Sequence, residues 1–228
     1  MAKTYTFDSS FVVGNPLPTF TQGEVKNEPM LFNCSLEAAM SLGGPITRSF
    51  ILQTVRDSLN DNFARPAVID TRVHMLMPGW FPCIPGFHHD DVPRTRSDGQ
   101  PNYDTPEYRS THVMALVNGD ICPTEFAVGK ITLPEIPIGE GLVYKKWHPI
   151  VEELIRTSEL NNTHDVQRMP VPTNKLIYFD DHAIHQGVRA VNGGWRWFGR
   201  ITYGSDRKPT NETRRQVQVY LEFPMEGW

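Results

Sequence analysis

Long apolar runs are missing from this sequence: no stretch of its 228 residues reaches the roughly 20 residues that a membrane-spanning helix needs. Cysteine is scarce as well. Cys34, Cys83 and Cys122 are odd in number and contain no C-x-x-C pair, which argues against a disulfide framework and against a zinc finger. The residues from Met1 to Asp8 hold no apolar segment, so the expectation is a chain without a secretory signal, working in a reducing cytoplasm. Blocks of like charge are absent. With a net charge of −4 and no basic run, the electrostatic footprint of a duplex nucleic-acid binder is not there. Internal repeats and low-complexity segments are lacking too. These exclusions leave a chain of single-domain size that is long enough to bury a real core.

Turn-forming residues, by contrast, are plentiful. Nineteen prolines and 17 glycines favour many short strands over long helices. Apolar and β-branched runs predict strands over 67–77, 111–117, 124–128, 130–133, 175–179, 195–203 and 215–223. Ser35 can cap a short helix through Leu42 that Gly43-Gly44 stops. A second helix is expected over 46–59, with Ile46, Phe50, Ile51, Val55 and Leu59 near helical spacing. A third is expected over 147–156, with Trp147, Ile150, Val151, Leu154 and Ile155 on one stripe. The segment 92–110 is polar and holds Pro93, Pro101 and Pro106, and it reads as a long loop over a site. Residues 161–167 read as a polar loop. The whole is expected to be one domain over 1–228, mainly β, with a two-sheet jelly-roll core over 67–223 and a few flanking helices. Residues 1–66 would be a helical extension packed on that core.

The chemistry concentrates in two distant segments. Phe87-His88-His89-Asp90-Asp91 contains two nested His-x-Asp pairs. In extended backbone, residues i and i+2 point the same way, so His88 with Asp90, or His89 with Asp91, can approach one ion, and only one pair can face the interior. Downstream, His182 and His185 follow the apolar run 175–179. A Gly-Gly turn then leads into Trp195-Arg196-Trp197-Phe198-Gly199-Arg200. On a strand, Arg196, Phe198, Arg200 and Thr202 share one face and Trp195, Trp197, Ile201 and Tyr203 the other. If the aromatic face is packed, both arginines point inward, where an unpaired charge is costly. Their planar forks suit a carboxylate or phosphate. Two histidines, one carboxylate and open positions are the ligand set of a non-haem Fe(II) site.

Taken together these segments resemble the 2-oxoglutarate/Fe(II)-dependent oxygenase superfamily, in the style of its phytanoyl-CoA hydroxylase and taurine dioxygenase branches. That family's aromatic-His-x-Asp motif is similar to Phe87-His88-His89-Asp90, with Phe87 where the family usually has Trp. Its distal histidine corresponds to His185, and its co-substrate arginine, about ten residues later, to Arg196. Thr124-Glu125-Phe126 resembles the family's segment before its Gly-Ser-His turn, which is itself missing here. The resemblance spans roughly 67–203. It implies a double-stranded β-helix core, Fe(II) on His88, Asp90 and His185, 2-oxoglutarate held by Arg196, O2 as oxidant, and a hydroxylase activity. It makes Arg200 a substrate contact.

The loop after the metal motif carries Arg94, Arg96, Tyr103, Tyr108 and Arg109. Arginines interleaved with aromatics suit a small anionic or nucleotide-like substrate, with Arg94 and Arg200 as its binding residues. Asp91, Asp180 and Asp181 are available to accept the second N–H of metal-bound histidines. Two other readings compete: a cupin-type metalloenzyme that does not use 2-oxoglutarate, and a non-enzymatic β-rich binding or structural protein.

Overall fold

A computed structural model describes residues 3–57 and 66–221. In chain order its strands are Thr4–Ser9 (β1), Val12–Pro16 (β2), Met30–Phe32 (β3), Ala67–Leu76 (β4), Thr111–Val117 (β5), Thr124–Pro134 (β6), Val166–Pro170 (β7), Lys175–Asp180 (β8), His185–Gly187 (β9), Gly194–Tyr203 (β10) and Glu212–Arg214 (β11). The helices are Gln22–Asn27 (α1), Leu36–Leu42 (α2), Pro45–Asp57 (α3) and Val143–Asn161 (α4). The described residues are thus mainly β, with antiparallel sheets and few helices. None of these helices is long and apolar enough to cross a membrane.

The larger sheet has five strands in the order β2-β8-β5-β10-β4, and the smaller runs β1-β6-β7 with β9 also paired to β6. Side-chain alternation sorts the faces. On the larger sheet Val73, Val113, Ala115, Val117, Trp197, Ile201 and Tyr203 form one buried cluster with Ile46, Phe50 and Ile51 of α3. The opposite face presents Met114, Leu116, Ile177 and Phe179 to Phe126 of the smaller sheet. The outer face of the smaller sheet, through Phe7, Ala127, Ile131 and Leu133, takes the apolar stripe of α4 at Trp147, Val151 and Ile155. Helices cover both sheets, and the two sheets face each other across the middle.

Local chemistry fixes several ends. Thr21 and Glu24 close a reciprocal capping box on α1. The buried Glu28 carboxylate accepts from the Gly44, Ile46 and Thr47 amides at 3.0, 3.2 and 2.8 Å. It thereby satisfies amides at the start of α3 that have no partner within the helix. Ser35 caps α2 through the Ala38 amide at 3.1 Å, and Gly43 is its C-cap. Asn162, at φ +54°, ends α4 in the left-handed region that asparagine tolerates.

Four differences from the sequence reading have physical causes. Residues 1–66 read as a helical extension, yet β1 pairs with residues 129–134 of β6 and β2 pairs with β8. These strands are short, half-exposed and broken near Pro16, so they lack the apolar weight that marks a strand in sequence. The runs 124–128 and 130–133 are one strand, passing through Gly129 at φ +141°. A Cβ there would lie 2.1 Å from the Asp165 carbonyl oxygen. Residues 166–170 form β7, partly inside what reads as a polar loop; β7 sits at a sheet edge, where Pro170 loses no ladder bond. The strand predicted over 215–223 does not form among the described residues. Only 212–214 pairs as a strand, with β3, and Tyr220 makes an isolated bridge to Phe81. Positions 58–65 and 222–228, which include Leu59, the expected helix stop at 60–62 and Phe223, lie outside the described residues.

Candidate metal centre

The His88 segment is held by backbone before any side chain acts. The His88 amide donates to the His185 carbonyl at 2.9 Å, and the His185 amide returns to the His88 carbonyl at 3.0 Å. This bridge extends the β6–β9 edge by one residue and brings two histidines 97 positions apart side by side, with ring centroids 4.8 Å apart. Gly86 at φ +107° turns the chain in and Asp91 at φ +54° turns it out. Between those turns His88 and Asp90 point the same way. One ligand atom each from His88, Asp90 and His185 can be chosen so that all three lie within 4.8 Å of one another.

The tautomers of both rings follow from their partners. His88 Nδ1 faces the Gly86 carbonyl oxygen at 2.9 Å and His185 Nδ1 faces the Ala183 carbonyl oxygen at 3.0 Å. A carbonyl only accepts, so each Nδ1 carries the proton and donates it. In a neutral ring that leaves each Nε2 a lone pair. His185 Nε2 lies 3.1 Å from Asp90 Oδ2 and His88 Nε2 lies 3.9 Å from Asp90 Oδ1. The two Nε2 atoms thus converge on a carboxylate that Arg200 also pairs with, and two imidazole nitrogens with one carboxylate oxygen are a donor set that suits a divalent transition metal.

Electrostatics keep Asp90 and His88 in ligating form. Burial would raise the Asp90 pKa, but Arg200 and His185 outweigh it and hold the carboxyl well below the usual carboxylate range. Burial, with His185 second, pushes His88 down to about 4. Phe126 stacks on the His185 ring at 5.1 Å and Phe179 meets its edge at 5.3 Å, closing that side to water.

His89 of the other pair faces away, while Asp91 lies near Arg200. His89 is buried, its Nδ1 is 2.7 Å from the Tyr103 hydroxyl, and its ring meets Phe7 edge-on at 4.6 Å. His182 packs against the same Phe7 at 5.3 Å. Both belong to the α4 side of the smaller sheet. Asp181 is occupied by Arg109, whose Nε donates to it at 2.8 Å, and Asp180 caps the His182 amide. The acceptors behind the two ring N–H groups are therefore backbone carbonyls, where the sequence reading names Asp91, Asp180 and Asp181.

The two arginines of β10 differ. Arg200 forms an ion pair with Asp90 Oδ2, so the structure places it against the carboxylate of the cluster. Arg196 is 2% exposed, and among the described residues it has no carboxylate partner. Its Nη2 donates to Thr124 Oγ1 at 3.4 Å and its Nε has no partner. Thr124 and Phe126 lie two residues apart on one face of β6, about 7 Å along the strand. Phe126 stacks on His185, so Arg196 and the cluster both contact side chains of the same β6 segment. Burial lowers the Arg196 pKa, with Arg72 adding to the effect.

Arg94 is exposed and lies in the 92–110 loop, which has no helix or strand. Its Nη1 donates to the Gly99 carbonyl at 3.2 Å, and its guanidinium sits 5.8 Å from the Tyr144 ring centre. It lines a cleft of about 470 Å³ with His89 and Asp91, the chain neighbours of Asp90, and with Glu107, Tyr144 and Asp206. Arg96 is paired with Asp98 at 2.8 Å and Arg109 with Asp181, so neither loop arginine is free for a ligand.

Two residues, His74 and Arg72, escape a reading by motif, and the role of Thr124 is visible only once Arg196 touches it. His74 and Arg72 line up with Arg196 and Phe198 across the β4–β10 ladder. The alternation Asp70, Arg72, His74 in an otherwise apolar run was the available signal.

No family model matches the chain, and no curated protein sequence matches it. Solved structures of similar course exist. HygX from Streptomyces hygroscopicus with iron bound has a TM-score of 0.37 at 12% identity, over 87% of this chain and 83% of that one. HygX with nickel and 2-oxoglutarate bound gives 0.40 at 11% identity, over the same shares of 87% and 83%. The non-heme monooxygenase ThoJ, in its apo form, gives 0.38 at 11% identity, over 89% of this chain and 77% of that one. At such scores the side chains, not the likeness, must carry the chemistry.

Proposed function

We propose that this chain is a non-haem Fe(II)- and 2-oxoglutarate-dependent oxygenase, a hydroxylase of a small polar molecule, built on a jelly-roll core. The observation that carries the reading is Arg196: a buried guanidinium with no carboxylate partner among the described residues, beside a converging His/Asp/His set. Buried arginines are normally paired, since leaving the charge alone is expensive. An acid supplied from outside would complete the site. Two facing antiparallel sheets with the cluster at their edge support the double-stranded β-helix assignment of the core.

His88, Asp90 and His185 would hold the metal. Fe(II) held by two imidazoles and a carboxylate, with open positions, supplies O2 activation coupled to oxidation of the keto acid. The chain's own work is to prepare that site. The Gly86 and Ala183 carbonyls orient the two rings and hold the proton on each Nδ1, which turns each Nε2 toward Asp90. Arg200 keeps Asp90 ionised. Arg196 would anchor the distal carboxylate of 2-oxoglutarate through its planar fork, with Thr124 steadying the guanidinium. Phe126 and Phe179 exclude water from the His185 side.

The substrate would enter the cleft that Arg94 lines. Its walls carry one arginine against the carboxyl groups of Asp91, Glu107 and Asp206. That lining favours a neutral polar or cationic substrate over the anionic one that the loop arginines suggest in sequence. Arg200, spent on Asp90, would then act on the metal ligand and not on substrate.

The test is anaerobic. Purified protein with Fe(II) and 2-oxoglutarate should show the weak visible charge-transfer band of a chelated keto acid, and His185→Ala should abolish it. Iron binding without the band would remove 2-oxoglutarate from the assignment. Binding of neither would sink the oxygenase reading altogether.

A further inference from the structure

Arg196 does not stand alone at its end of the β10 ladder. Directly opposite it on β4 is His74. Opposed residues of an antiparallel pair carry their Cβ atoms about 4.5–5.5 Å apart on the same face, so His74 shares the inward face of Arg196. It is 1% exposed, and among the described residues neither ring nitrogen has a hydrogen-bond partner of good geometry. The Gln218 backbone is near enough to favour protonation slightly. That contact is not a hydrogen bond of proper geometry. Two residues along the same face comes Arg72, whose Nε is also buried without a partner.

A buried imidazole with two orphan nitrogens is unusual, because burying a polar group without a hydrogen bond costs free energy. Among the described residues no aspartate or glutamate acts on either His74 or Arg196; for His74 the cations Arg196 and Arg72 are the charges that count. Burial first, then those two guanidinium groups, push the His74 pKa down to about 3. The ring is therefore neutral and offers one N–H donor beside a fixed cation. One guanidinium and one neutral donor, converging from adjacent strands, match the two oxygens of a carboxylate.

We infer that His74 is a binding residue for the co-substrate, donating a hydrogen bond to the same distal carboxylate that Arg196 holds, so that the β4–β10 ladder selects an α-keto dicarboxylate over a keto monocarboxylate. The inference rests on the oxygenase reading above and extends it to the residue that gives the co-substrate its length requirement. A hydrogen bond to a charged group is the stronger kind, and its loss corresponds to a weakening of about 10- to 100-fold.

The experiment uses the full chain loaded with Mn(II), titrated calorimetrically with 2-oxoglutarate and with pyruvate, which lacks the distal carboxylate. His74→Leu should weaken 2-oxoglutarate about 10- to 100-fold while Mn(II) and pyruvate affinities stay as in the parent. His74→Asn and His74→Gln, which each restore a donor, should recover part of the loss, and circular dichroism establishes that each variant is folded. The inference is overturned if folded His74→Leu binds 2-oxoglutarate as the parent does, or if 2-oxoglutarate and pyruvate weaken together. If Arg196→Leu abolishes binding while His74→Leu does not, His74 alone is wrong and the oxygenase reading stands. If the parent protein binds no 2-oxoglutarate, both fall.

Discussion

The two ends of one strand pair, β4 and β10, carry similar residues in opposite states. At one end Arg200 meets Asp90, and Arg207 donates to Asp70 at 2.8 Å, so every cation has its acid. At the other, Arg196, Arg72 and His74 lie on the same inward face with no carboxylate partner among the described residues. The strand geometry is the same at both ends, so it does not distinguish them. The distinction comes from what the rest of the fold delivers: Asp90 from the bridged loop to one end, and only Thr124 to the other. Under the proposed function, a closed charge balance belongs to structure and metal, and an open one calls for a ligand.

That contrast predicts effects of opposite sign on stability. The largest should come from the closed end. Asp90→Ala should abolish Fe(II) binding and destabilise the metal-free protein by about 3 kcal/mol, since Arg200 is left buried without its main partner; equilibrium urea unfolding and metal titration read the two effects. Arg196→Leu should do the reverse in the absence of ligand. Removing an unpaired buried charge should raise stability by about 1–2 kcal/mol while 2-oxoglutarate binding falls by more than about 100-fold. A destabilised Arg196→Leu would erase the contrast.

Asp70→Asn tests the closed end through pH. Burial alone would raise the Asp70 pKa, but the hydrogen bond from Arg207 and the charge of Arg200 bring it below its ordinary 3.8. A carboxyl depressed in the folded state contributes stability that is present above the unfolded pKa and lost as pH falls through the folded one. The parent should therefore lose this stabilisation below about pH 4, and Asp70→Asn, less stable by about 2 kcal/mol at neutral pH, should lack that part of the acid slope. The smallest effect is expected from Thr124→Val, which removes one 3.4 Å hydrogen bond from the guanidinium. It should weaken 2-oxoglutarate about threefold, within the net worth of a single ordinary hydrogen bond, and leave the melting curve almost unmoved.

Much of the core was legible because it is locally written. β5 spans the predicted 111–117, and β4, β8 and β10 differ from their predicted ranges by a residue at one end. All four are apolar or alternating runs bounded by turn-forming residues, which is what a strand covered on both faces requires. α4 shows its stripe but extends beyond 147–156 at both ends, because Val143 and Ser158 are buried by the smaller sheet and not by any sequence repeat. The strands β1, β2 and β7 escaped because edge strands need little apolar content; their partners supply the reason they form. At the centre, the parts His88, Asp90, His185 and Arg196 were visible as residue types at suggestive spacings. Their roles as a cluster and an orphan cation were not, because each depends on a neighbour 60 or more positions away.

By itself the sequence determined which residues can be strand or helix, that the Trp195 face of β10 is apolar, and that its other face must bury Arg196 and Arg200. Alternation and hydrophobic period are local properties, and they survive in one dimension. Only the tertiary structure brings His88 and Asp90, and not His89 and Asp91, within reach of His185, since the reciprocal backbone bridge between His88 and His185 sets which way the segment faces. Only it decided that Arg200 is paired and Arg196 is not. Pairing depends on which carboxylate the fold carries to within about 4 Å of a guanidinium, and the Coulomb energy of a buried charge is set by that distance, not by order along the chain.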